Sequence, residues 1–403
     1  MYTDSEAGAC GSCPSGCGSD QEAGFAVGPQ YRRFNQKNDI FNRSFWDPGV
    51  RTERSFQFYD SYRRPLEEWR HVDGYSQRDF ALRNAGWHVA DLFAERLEGE
   101  DRREGFLDFL TAQRDGAAEQ HAFDSNDEAA GEIKRVARVF GADLVGITHN
   151  DERWIYTHKY SRDREDSVPM DLPEGLSSVI VIAHEMDHGL LRTVPSALSG
   201  TATGLGYSRD VVTLLAVTQY IRNLGYRAYA SMNDTASSIP FAIRAGLGEY
   251  GRHGLLITPE FGPRVRLGKI FTDLPLAHDR VRKFGVEAFC GICRLCSDAC
   301  PPGAIAKTEP SAKTHNLSNA PGLTKWTTDA EKCFQFWVKQ VTDCSICVRV
   351  CPYNRLGPNW WRRLRVRLMG SPLRQLMLAL DKFLGAGKRR APKWWWQRER
   401  RTG

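Results

Sequence analysis

An α/β layer fold is predicted for the middle of this 403-residue chain, and three observations predict it. From residue 128 onward, helical and extended patterns interleave, as they do when helices cover a sheet. The run SSVIVIAHEM (177–186) is apolar on both faces and so reads as a central strand. Apolar content of 41% and charged content of 26% suit a soluble globular chain, long enough for about two domains.

Residues 1–24 are rich in Gly, Ser, Asp and Glu and are expected to lack order; Cys10, Cys13 and Cys17 lie there, one ligand short of a metal site. Residues 25–127 carry aromatic side chains without a period (Trp46, Phe56, Phe58, Tyr59, Tyr62, Trp69, Trp87), which predicts short helices in a wrapping arm. EAAGEIKRVARVFGA (128–142) repeats Ile133, Val136 and Val139/Phe140 at helical spacing. DLVGITH (143–149) reads as a strand, as do RAYASM (227–232) and HGLLITP (253–259). SRDVVTLLAVTQYIRNLGY (208–226) reads as a helix, with Ser208 as N-cap and Gly225 as its stop. SIPFAIRAGLG (238–248) reads as a helix opened by Pro240.

Cysteine usage defines the next segment, 285–356. Cys290, Cys293, Cys296 and Cys300 form C-x2-C-x2-C-x3-C-P, and Cys333, Cys344, Cys347 and Cys351 form C-x10-C-x2-C-x3-C-P. Disulfide frameworks belong to small secreted domains, so grouped cysteines in a chain this large point to metal. A zinc ribbon requires neither the prolines after Cys300 and Cys351 nor three cysteines at spacing three. Two [4Fe–4S] clusters fit better. In the bacterial two-cluster arrangement the fourth cysteine of each run serves the other cluster. That assigns Cys290, Cys293, Cys296 and Cys351 to one cluster and Cys300, Cys333, Cys344 and Cys347 to the other. The long gap after Cys333 departs from the usual spacing.

GLGYSRD, SMNDTASSIPFAIRAGLGEYGRHGLLITPEFGPRVRLGKIFTDLPL and the paired cysteine runs together resemble the corrinoid iron–sulfur reductive dehalogenases, over about residues 128–355. The resemblance implies a nitroreductase-like cobalamin-binding α/β (α+β) domain over 128–284, followed by the two-cluster ferredoxin-like segment. It implies reduction of an organohalide to R–H and halide, with Tyr207 as proton donor, Arg266 as its tuner and Asn233 as a substrate contact. That division is chemically sensible. A phenol titrates near pH 10 in water and is protonated at neutrality. A neighbouring guanidinium favours the phenolate left behind, and an amide offers donors that do not titrate.

GLGEYG (246–251) matches G-x-G-x-x-G, but a helical pattern rather than a strand precedes it, which argues against a dinucleotide site. Gly246, Gly248, Gly251 and Gly254 are instead expected to let backbone approach the corrin. The chain has no D-x-H-x-x-G to supply a histidine to cobalt, so by resemblance the cobalamin is base-off without a lower protein ligand.

From Arg355 to Gly403 there are fourteen Lys/Arg against two Asp/Glu, while the whole chain carries only +6. The body is therefore mildly acidic and the tail strongly basic. Residues 357–403 present an apolar stripe (Leu373, Leu376, Met377, Leu380, Phe383, Leu384) bracketed by Trp360–Trp361 and Trp394–Trp396, the make-up of a helix lying in a membrane surface. The expected setting is cytoplasmic, peripheral on the inner membrane face. Ferredoxin, flavodoxin or a membrane quinol system would donate the electrons. Nucleic acid is the other anionic partner considered, because epoxyqueuosine reductases share this cofactor layout and act on tRNA. Those enzymes use an aspartate as proton donor and end in helical repeats, and this chain has neither pattern. A non-enzymatic ferredoxin-type carrier would leave the α/β segment unexplained.

Overall fold

The computed structural model describes residues 24–63, 72–99, 114–162 and 165–397; Cys10, Cys13, Cys17 and Trp69 lie outside them. Four strands form the central sheet: β1 (Leu144–His149), β2 (Ser178–Glu185), β3 (Ala228–Ser231) and β4 (Val265–Thr272), in the order β1-β2-β4-β3. Every pairing is antiparallel, so the interleaved elements build an α+β sheet rather than a parallel one. β2 is central as expected, with Ile180 opposite both Ile147 and Ile270. Its alternation divides the core. Ile180 and Ile182 face one cluster with Ile133, Val211 and Leu214, while Val179, Val181 and Ala183 face another with Phe241 and Ile243.

The arm contributes α1 (Ile40–Trp46) and α2 (Glu53–Arg63), and α3 (Gln77–Gly99), α4 (Asn126–Val139), α5 (Ala197–Asn223) and α6 (Ser238–Arg244) build the layers around the sheet. α5 corrects the expected boundary. It starts at Ala197, where the Ser196 side chain accepts from Ser199 N, and it ends at Leu224 followed by Gly225 at φ +86°. Ser208 is therefore internal, and its hydroxyl donates to Gly86 O on α3 at 2.7 Å. The first half of α5, ALSGTATGLGYS, has low intrinsic helix propensity, which hides it from sequence. Tertiary contact explains its glycines. A Cβ on Gly204 would lie 2.3 Å from the Trp87 ring, and one on Gly206 2.5 Å from Arg266 Cγ. HGLLITP is extended only at Leu256–Ile257, in a hairpin with Glu249–Tyr250.

The aromatic arm packs over the cysteine segment. Helices α7 (Val286–Ile292), α8 (Ala330–Gln340) and α9 (Ile346–Val350) carry or flank the cysteines. Ile40, Val50 and Phe58 bury Phe334 of α8, with Phe41 edge-on to that ring at 5.7 Å. The C-terminal helices α10 (Asn359–Gly370), α11 (Arg374–Leu384) and α12 (Pro392–Gln397) fold back on the body. Met369, Met377 and Leu378 are buried around Cys290, Cys293 and Cys351. Asp381, also buried, accepts from Arg355 at 2.9 Å and from Arg365 at 3.1 Å. Trp395 and Trp396 pack against Met186, Leu190 and Leu198, and Trp396 Nε1 donates to Asp79 Oδ1 at 2.8 Å. These two tryptophans serve as anchors of the tail, which corrects the expected bracket. Among the described residues no helix is long and apolar enough to cross a membrane.

Candidate functional site

The cysteines are drawn together across the two runs. Cys290, Cys293, Cys296 and Cys351 line one small cavity with His253, Phe289 and Tyr353. Cys333 and Cys344 each lie close enough to Cys300 for their thiols to repel as anions, and Cys347 senses Cys344, Cys333, Cys296 and Cys300. Two sets of four therefore adjoin, through Cys296 and Cys347. All eight are free of disulfides. Among the described residues no group of three or more His, Cys, Asp or Glu converges as the ligands of a single ion do; the four thiols of the first set surround a cavity instead.

Burial pushes the Cys290, Cys333 and Cys344 thiols up to about 12, with neighbouring cysteines adding to the shift. Bare thiolates are thus disfavoured here, and a cationic iron core is what would invert that preference. The donor set fits two [4Fe–4S] clusters. Arg252, which carries no motif in the sequence, organises the first set. Fully buried, it donates to Cys290 O at 2.8 and 3.0 Å and to Thr308 O at 2.8 Å, and it lies over the Trp326 ring at 4.7 Å. The backbone N–H of Ala304 donates to Cys300 Sγ at 3.3 Å, a bond type that tunes cluster potential.

One residue before Cys344, Asp343 fastens the second set to α5. Its carboxylate accepts from Thr203 Oγ1 at 2.7 Å and from the Tyr62 hydroxyl at 3.3 Å. Thr203 is one helical turn before Tyr207 on the same face of α5. Tyr207 is 7% exposed and is packed against Trp87, their ring centroids 4.9 Å apart. Arg266 Nη1 donates to its phenol oxygen at 3.1 Å, and Asn233 Nδ2 donates to the same atom. The topology explains this meeting. β2 ends opposite the start of β4 and β3 ends at Ser231 opposite Lys269, so the chain just beyond β3 carries Asn233 toward Arg266 and both reach the α5 side chain. Two N–H donors on one phenol oxygen stabilise the charge that remains when its proton departs.

Gly246 (φ +72°) presses on Arg280 O, Gly248 on Ile257 O, Gly251 on Ile257 Cδ1, and Gly254 (φ +77°) on Thr328 Oγ1, at 2.2–3.0 Å from where a Cβ would sit. At each of them a Cβ would meet the chain itself. Thr201 Oγ1 on α5 and Arg264 Nε at the foot of β4 are buried without a hydrogen-bond partner among the described residues.

Comparison with known proteins is consistent with this geometry. Residues 164–276 match the family described as reductive dehalogenase subunit, and residues 289–354 match the 4Fe-4S double cluster binding domain. A tetrachloroethene reductive dehalogenase of Desulfitobacterium hafniense is 39% identical over 276 residues, 59% of this chain and 50% of the relative. One from Sulfurospirillum multivorans is 33% identical over 289 residues, 64% of this chain and 57% of the relative. An epoxyqueuosine reductase of Listeria monocytogenes is 37% identical over 130 residues, 31% and 32% of the two chains. Among solved structures, a reductive dehalogenase whose structure suggests a mechanism for B12-dependent dehalogenation superposes with a TM-score of 0.70 at 23% identity. It covers 92% of this chain and 49% of that one, and it establishes the shared fold. The chain thus spans about half the length of the relatives it matches. By these matches the chain is similar to the reductive dehalogenases over residues 164–276 and to the double-cluster binding domain over 289–354, with a shorter similarity to epoxyqueuosine reductases.

Proposed function

We propose that this chain is a corrinoid- and [4Fe–4S]-dependent reductive dehalogenase, converting R–X, two electrons and a proton into R–H and halide. The observation that carries the reading is the convergence of Arg266 and Asn233 on the Tyr207 phenol oxygen, on a helix tied one turn earlier to the second cysteine set. The chemistry a bound corrinoid supplies is reductive cleavage of the carbon–halogen bond with electrons from the clusters. The unpartnered donors of Thr201 and Arg264 suit its amide-bearing rim and would hold it.

The chain's own residues do the rest. Tyr207 holds a proton at its phenol oxygen, Arg266 keeps a fixed positive charge beside that oxygen, and Asn233 fixes its direction. The eight cysteines hold the clusters, and Arg252 sets the backbone of the first. Electrons enter one at a time from a ferredoxin, a flavodoxin or a membrane quinol system. The chain rests on the anionic inner membrane face through α10 and α11, where Trp360, Leu376, Leu380, Phe383 and Leu384 remain exposed among arginines. Anaerobic turnover of a halophenol panel with reduced viologen tests the reading. Halide release is expected to vanish in Tyr207→Phe while iron and corrinoid contents stay unchanged; undiminished release in that variant removes the donor.

A further inference from the structure

Beneath the phenol lies a second pair of titratable side chains. Asp210 follows Tyr207 by one turn of α5, so both reach the same side of the helix. His184 stands directly opposite Arg266 in the β2–β4 register. His184 Nε2 and Asp210 Oδ1 are 3.3 Å apart, and neither residue has any exposure. We propose that Asp210 and His184 form a buried proton line that reloads Tyr207 from solvent at the Asp143–Arg209 edge of the sheet. The proposal rests on the reading of Tyr207 as proton donor.

Unmet bonds are the strongest observation. Both carboxyl oxygens of Asp210, Nε2 of His184 and Nε of Arg266 are buried without a hydrogen-bond partner among the described residues, while the His184 ring also meets the Gly141 backbone carbonyl. The 3.3 Å approach of the pair is close, but it lacks hydrogen-bond alignment. Polar atoms left this way weaken a fold. Four of them, on Arg266, its cross-strand neighbour His184 and the residue one turn beyond Tyr207, therefore suggest a role other than stability. Arg266 links the two layers. It donates to the Tyr207 oxygen and is also the leading charge acting on Asp210. At the far end, Asp143 and Arg209 pair at 3.0 Å and are about a third exposed, and their charges act on His184. The charged groups facing the line are thus Arg209 from α5, Arg266 and Lys269 from β4, and Asp143 beside β1.

Protonation states agree with this arrangement. Burial pushes the Asp210 carboxyl up to about 8, opposed by Arg266, Lys269 and Arg209, and it pushes the His184 imidazole down to about 4. At neutral pH the carboxyl holds its proton and the imidazole is uncharged, giving a donor backed by a relay. After Tyr207 has given up its proton, the Asp210 O–H bond breaks and the phenol O–H bond re-forms. The carboxylate regains its proton through His184 Nε2, which takes one originating from hydronium at the Asp143–Arg209 edge and passes it on, while the other ring nitrogen keeps its proton on the Gly141 carbonyl and the imidazole returns to its starting tautomer. One solvent proton enters per turnover, and no electron moves.

Two readouts on the full chain with its clusters and corrinoid test this. The first needs no turnover: tyrosinate absorbance against pH, taken as the difference between a chain and its Tyr207→Phe counterpart, with and without Asp210→Asn. Asp210 ionises before the phenol and opposes its charge, so Asp210→Asn is expected to move the Tyr207 midpoint down by a unit or more, a tenfold change in its proton affinity. Superimposable titrations overturn the proposal, whether or not the chain dehalogenates. The second is halide release in weak buffer, with methyl viologen as reductant and a bromophenol as substrate. Asp210→Asn and His184→Gln are expected to lose at least tenfold in kcat with KM unchanged, and formate or imidazole buffer should restore the rate in proportion to its concentration. A loss that no buffer restores makes the pair structural and overturns the line. Absence of halide release from the unaltered chain would instead count against the proposed function, leaving the titration to judge the pair.

Discussion

Arg266 isolates the electrostatic part of the account. Its guanidinium lies 3.1 Å from the Tyr207 oxygen, where it favours the charge left by proton release. Arg266→Met should lower kcat about 100-fold with little change in KM, because a preorganised donor acts on the developing charge rather than on bound substrate. Steady-state halide release checks it, and a change confined to KM would assign Arg266 to binding. A second consequence concerns pH. Burial holds His184 and His253 down to about 4, below the 6.5 of a free imidazole. The unfolded chain then binds more protons between pH 6.5 and 4, so the stability these neutral rings contribute is complete above 6.5 and drains away as pH falls toward 4. Each contributes up to about 3 kcal/mol over that window. The thermal midpoint should fall between pH 7 and 5, and fall less in His253→Asn, which keeps an acceptor for the Leu255 N–H. Tyr207, Asn233 and Arg266 were legible in the sequence only through their surrounding motifs. Arg252, Asp210 and His184 were not, because their meaning lies in a helix crossing and a cross-strand register that linear spacing does not show.

Glycine placement decides how the elements meet. Helix α5 runs unbroken through Gly200, Gly204 and Gly206 because α3, β4 and the second cysteine loop occupy the space their side chains would take. Gly204→Leu should therefore destabilise by about 1–3 kcal/mol through overpacking against Trp87, and should displace the ring that stacks on Tyr207. Gly131 on α4 is the control, with nothing within 4 Å of its missing Cβ. Gly131→Ala should stabilise by up to about 1 kcal/mol on helix propensity alone. Denaturant unfolding compares the two, and equal effects would contradict the packing argument. Strongly periodic elements such as α4 and β2 could be read from sequence because their apolar pattern matches their burial. The first half of α5 could not, since local propensity there opposes a helix that tertiary contact imposes.

At the scale of the whole molecule, the arm, the sheet and the tail all close on the cysteines. Aromatic residues without a period, unreadable as secondary structure, cover α8 and with it Cys333. The basic tail is only partly a surface. Met377 and Asp381 are buried, while Phe383 is 88% exposed and Leu376 64%. The sequence stripe thus combined one buried side chain with five exposed ones, because a helical period alone does not say which face meets the body. If that outer face meets a bilayer, Leu376→Ser with Phe383→Ser should reduce binding to vesicles containing phosphatidylserine about tenfold or more. Sedimentation with lipid measures this, and unchanged binding would leave only the arginines as contact. If two clusters lead electrons to a corrinoid beside Tyr207, as proposed, the chain must hold both kinds of cofactor. Metal and corrinoid analysis of the anaerobically reconstituted chain tests it most directly. The account predicts about eight irons and one tightly held corrinoid per chain. A chain that holds its iron yet neither retains nor binds cobalamin would contradict it.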